Sequence, residues 1–68
     1  MDKYFVEKQK QPNGDNLVHK ENCSHMPEDA NRRFLGIFNK CQDAIREAKR
    51  DYPQSNGCSD CSPECHKS

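Results

Sequence analysis

His19-x3-Cys23 and Cys58-x2-Cys61-x3-Cys65-His66 gather four of the 5 cysteines and two of the 3 histidines of this chain into two knots far apart in sequence. Thiolate and imidazole are soft and borderline donors. One ligand pair from one segment and a CxxC pair from a distant one is how a small fold assembles a tetrahedral zinc centre. The first-choice coordination sphere is therefore His19, Cys23, Cys58 and Cys61, with Zn2+ as the cofactor. Asn56-Gly57, just before the CxxC, reads as the turn that aims both sulfurs at one ion. Cys61-x3-Cys65 is also an acceptable chelate spacing, so Cys65 or His66 stands as an alternative fourth ligand, giving four thiolates or three thiolates and one imidazole. CxxC is a redox motif too, but in that role it normally opens a helix in a larger fold of alternating strands and helices.

Length explains why such a short chain needs a metal. At 68 residues with 31% hydrophobic content, one core rarely supplies more than about 3–5 kcal/mol. A structural zinc site contributes about 10–16 kcal/mol in favourable peptides. Eleven Lys and Arg balance eleven Asp and Glu for a net charge of +0, which leaves no basic field to collect nucleic-acid phosphates. The first residues, Met1 to Glu7, are interrupted by charges and lack the apolar centre of a signal peptide. No run approaches a membrane span. A reducing cytoplasm is the expected setting, since thiols stay free there to bind metal and an odd number of cysteines leaves one unpaired in a disulfide framework.

The elements that must position the ligands follow from periodicity and punctuation. Tyr4 to Lys8 reads as a short strand, Gln11-Pro12-Asn13-Gly14-Asp15 as a turn with Asn13 and Gly14 at positive φ, and Leu17 to Lys20 as the hairpin partner. His19 and Cys23 then stand at one rim. The stretch from Cys23 to Asn31 reads as a loop, and Arg33 to Phe38 as a third strand. Asn39 suits an N-cap, with Gln42 reaching back. Cys41, Ala44, Ile45, Ala48 and Tyr52 fall on one helix face, opposite a charged face carrying the pairs Asp43–Arg46 and Glu47–Arg50. Pro53 ends the helix. Beyond it no hydrophobic periodicity remains, and only cysteines can anchor the segment. Cys41 reads as a small core residue, and Tyr4, Phe5, Phe34, Phe38 and Tyr52 as core aromatics. His25 reads as solvated, and Arg32-Arg33 as residues flanking a strand.

His19-x3-Cys23, a following Pro27, Asn31-Arg32 before an apolar strand, Ala44 and Ala48 on a helix, and Cys58-x2-Cys61 together resemble the zinc-binding domain of Ada-type methyl-phosphotriester repair proteins. They also resemble small Ada-like zinc modules of bacteria that carry a His in place of the first Cys. The likeness covers about residues 17–61 and implies a small α+β zinc domain with ligands at His19, Cys23, Cys58 and Cys61. In the repair proteins the methyl-accepting thiolate is the first cysteine of the four; His19 occupies that position here, and this chain lacks the basic surface that DNA contact wants.

The expectation is thus a single α+β domain over residues 1–68: a three-stranded antiparallel sheet, one helix at about 40–52 and a C-terminal cysteine-rich zinc loop. Its expected role is that of a monomeric, cytoplasmic, non-catalytic module that binds a protein or nucleic-acid partner and no membrane. The alternatives are a zinc-thiolate alkyl acceptor or DNA-binding repair-type module, and a disulfide or thiol redox mini-protein.

Overall fold

Tyr4 and Val6 turn inward on either side of Phe5, the alternate burial of an inner strand of a sheet. In the computed structural model, which describes residues 1–66, β1 (Asp2–Glu7), β2 (Asn16–Lys20), β3 (Arg32–Phe38) and β4 (Ser55–Gly57) form one sheet in the order β3-β1-β2-β4, with a single helix α1 (Cys41–Ala48) between β3 and β4. Lys67 and Ser68, which the single-domain expectation includes, lie outside the described residues. β1 runs antiparallel to β2 and β3, whereas β4 runs parallel to β2.

The architecture is α+β, but the sheet is four-stranded and mixed rather than three-stranded and antiparallel. The extra strand is polar. Ser55-Asn56-Gly57 has no hydrophobic alternation because its backbone, not its side chains, provides the pairing: Asn16 N–H donates to Gln54 O at 3.2 Å and Cys58 N–H to Val18 O at 3.0 Å. Asn56-Gly57 is therefore strand, not the turn expected ahead of the CxxC.

Two other local expectations change. The hairpin reversal uses positive φ only at Gly14 (φ 92°), and Asn13 instead accepts the Asp15 N–H on Oδ1 at 3.0 Å. The helix starts after Lys40, with no side-chain cap from Asn39 or Lys40, and its α-helical span is Cys41–Ala48. One further turn follows, closed by Tyr52 N–H to Ala48 O at 2.8 Å. The charged pairs Asp43–Arg46 and Glu47–Arg50 form at 4.0 and 3.5 Å on the outer face, where such pairs are worth about 0.3–0.5 kcal/mol.

One helix can cover only one side of the sheet, and this decides the core. Tyr4, Val6 and Val18 are buried with Cys41, Ala44 and Ala48, and Leu35, Phe38, Ile45 and Tyr52 pack around them. The β1–β3 register jumps between Tyr4, opposite Gly36, and Phe5, opposite Phe34. Leu35 is the extra residue of this bulge, which re-aims it and lets it join the core. Phe5 and Phe34 are not in that core: their rings pair at 5.4 Å, with Arg32 5.0 Å above Phe5. Phe34 and Ile37 are 52% and 53% exposed.

Cys41 is a core residue as expected, but its sulfur is not free: it forms a disulfide with Cys65. This bond ties the short 3-10 turn Pro63–Cys65 to the helix side of the sheet. Gly57 is where that segment crosses β4. A Cβ there would lie 2.8 Å from Cys65 Cβ, 2.9 Å from its carbonyl carbon and 2.9 Å from Ser62 O. Two of these neighbours are backbone atoms that cannot rotate away. Gly57→Ala is expected to cost about 1–3 kcal/mol through overpacking, seen as a lower urea midpoint; an unchanged midpoint would mean that the 62–65 segment is not seated on β4.

Candidate metal centre

Register places His19 on the side of the sheet away from α1. It pairs with Phe5, and directly opposed residues of an antiparallel pair share a face. His19 is nevertheless 0% exposed, because the two cysteine loops fold over it. The first loop leaves β2 through a tight turn closed by Cys23 N–H to Lys20 O at 3.1 Å. The second leaves β4, where Gly57 pairs with Val18 on the helix side, so the next residue, Cys58, faces the His19 side. Ser62 N–H to Cys58 O at 2.9 Å closes the CxxC loop. His25 and Asp60 form an exposed ion pair between the two loops.

The ligand atoms of His19, Cys23, Cys58 and Cys61 all lie within 4.8 Å of one another, close enough to hold a metal ion. Cys23 Sγ and Cys58 Sγ are 3.7 Å apart and Cys61 Sγ is 3.9 Å from His19 Nδ1. A tetrahedron with zinc–sulfur bonds of about 2.3 Å needs sulfur–sulfur edges of about 3.8 Å. The Cys23–Cys58 separation matches such an edge, and the donor types are those that zinc takes. Cys58 is 3% exposed, and Cys23 and Cys61 are half-buried.

The surroundings favour a cation. Burial, then the hydrogen bond with Cys61, then that with Cys58, push the Cys23 thiol up to about 12, against a backbone hydrogen bond from His25 that pulls it down. The thiolate is the form that ligates a metal, so a bound divalent ion would offset that resistance of Cys23 to ionising. Lys20 N–H donates to Cys61 Sγ at 3.3 Å, a further contact that stabilises a thiolate.

The other proposed ligands are elsewhere. Cys65 is in the disulfide with Cys41, so it does not serve as the fourth donor. His66 Nδ1 lies 2.9 Å from Gly57 O, to which it donates, and it too is outside the cluster. His25, read as solvated, is exposed but pairs with Asp60.

Glu7 was not singled out by the sequence. Its Oε2 is 2.6 Å from His19 Nε2 and its side chain is only 13% exposed. The available signal was the hairpin register: Phe5 opposes His19, which makes Glu7 a diagonal neighbour on the same face, within reach of a long side chain.

Fold and cluster define a small α+β domain with a compact Cys3His site. Comparison with protein-family models, curated proteins and solved structures returns no match for this chain. Among the described residues, no helix is long and apolar enough to cross a membrane.

Proposed function

We propose that this protein is a structural zinc-binding module in which His19, Cys23, Cys58 and Cys61 enclose one Zn2+ and thereby hold the loop after β2 to the loop after β4. The carrying observation is the convergence of three sulfurs and one imidazole nitrogen within 4.8 Å from segments distant in the sequence. Four protein donors complete a tetrahedral shell, as in structural sites, and leave no open position for a substrate. Its role is then to present a surface to a protein or nucleic-acid partner as a monomer, in the cytoplasm, where free thiols persist. The agreement of the four donors with the ligand positions implied by the Ada-like resemblance supports that kinship. With His19 in place of the first cysteine, alkyl transfer through that position is not part of this reading.

A second reading has one observation in its favour. The Cys41–Cys65 bond is the feature expected of a chain matured in an oxidising compartment, so a secreted, disulfide-stapled metal module is the alternative. Native and denaturing mass spectrometry of the purified chain tests both. One bound zinc, released on denaturation, is expected, with cobalt substitution giving the charge-transfer absorption of three thiolates. A metal-free chain whose remaining cysteines have oxidised would overturn the zinc reading. A mass about two units below the fully reduced value, one bridge having removed two hydrogens, would place the disulfide in the mature protein.

A further inference from the structure

We infer that Glu7, backed by Gln11, is a positioning residue that makes His19 a ligand through Nδ1 and holds its ring in place for the metal; this rests on the metal reading above and deepens it. His19 can meet an ion through either ring nitrogen, and the choice is set by what the other nitrogen bonds. Here the ring is divided cleanly. Nε2 is 2.6 Å from Glu7 Oε2, whereas Nδ1 faces the sulfurs, 3.9 Å from Cys61 Sγ. A carboxylate oxygen accepts, so Nε2 is the donor in that bond and Nδ1 presents its lone pair to the cluster. Ligating histidines commonly give their second N–H to a carboxylate, which fixes the tautomer and makes the ring a stronger donor.

Glu7 is itself held at two further points. Gln11 Nε2 donates to its other oxygen, Oε1, at 2.8 Å, and Asn16 Nδ2 donates to its backbone carbonyl at 2.9 Å. Gln11 in turn is fixed by the hairpin loop: its N–H donates to Asp15 O and its carbonyl accepts Gly14 N–H, both at 2.8 Å. A simpler role as ion partner of Arg32, its cross-strand neighbour, does not fit. Arg32 bonds the Asp29 carboxylate and, at 3.2 Å, Pro27 O, and lies over Phe5. Both Glu7 oxygens are thus committed along one line: hairpin loop, Gln11, Glu7, His19, metal. The β1–β2 loop, which contributes no ligand, becomes part of the site.

The test uses the full chain with 15N-labelled histidine, loaded with 113Cd. Cadmium coupling to Nδ1 of His19, together with a slowly exchanging Nε2 proton, is expected. Glu7→Ala is expected to weaken metal binding 10- to 100-fold in chelator competition and to expose the Nε2 proton to exchange. Glu7→Gln, which keeps size and an acceptor oxygen, should lose less and retain Nδ1 ligation. Coupling to Nε2, or Glu7→Ala binding within twofold of the parent, overturns this inference while leaving the metal module standing. Failure of the parent chain to bind any metal overturns both.

Discussion

Stripping the metal with a strong chelator, or replacing Cys58 with serine, is expected to collapse the dispersed amide spectrum of the whole chain rather than loosen one loop. The apolar core consists of Tyr4, two valines, two alanines and the Cys41–Cys65 pair, rimmed by four half-buried residues, and it covers one side of the sheet. A core of that size supplies about 3–5 kcal/mol, while a structural zinc site supplies about 10–16 kcal/mol. Without the ion, the three neighbouring sulfurs and the Nδ1 side of the buried imidazole face one another, with His19 held only through Nε2 by Glu7, and β4 loses the loop that anchors it beyond Gly57. Cys58 is the most telling position, being the most buried of the three free cysteines. A chelated protein that keeps its dispersed 15N–1H spectrum would show that sheet, helix and disulfide suffice without metal.

Breaking the Cys41–Cys65 bond, by reductant or by replacing both cysteines with alanine, is expected to lower stability by about 3–4 kcal/mol. That is the loop-closure value for a bridge with a sequence separation of 24. It exceeds the ~1–2 kcal/mol expected of Cys41 as a free core thiol, since a small buried group then carries only its packing. Metal stoichiometry should stay at one, because neither cysteine belongs to the cluster. Urea titration with and without reductant, read alongside zinc content, checks both halves. Loss of zinc on reduction would mean that the seat of Cys65 against Gly57 is needed to hold Cys58 in place.

Much of the candidate site was legible in the sequence. Cys58-x2-Cys61 is a local chelate whose spacing alone aims two sulfurs at one point, and His19-x3-Cys23 is a second pair at the end of a recognisable strand. Cys65 misled because x3 is as good a chelate spacing as x2; only its packing under α1 assigns it to Cys41. Glu7 stayed hidden because its partner is chosen by strand register. Phe5 and Phe34 read as core because apolar character does not say which side of a sheet a helix will cover.

By itself, the sequence determined the elements whose causes are local: the amphipathic stripe from Cys41 to Ala48, the β1–β2 hairpin with its turn at Gly14, the apolar third strand, and the four donors able to meet at one ion. The tertiary structure decided everything that depends on pairing between distant segments. Polar Ser55–Gly57 became a parallel edge strand through backbone hydrogen bonds that any side chain permits. Five cysteines divided into one disulfide and three candidate ligands according to which side of the sheet each faces. The side of the sheet that α1 leaves uncovered was given to His19 and the two cysteine loops, which is why a chain with so little apolar material has two buried clusters instead of one.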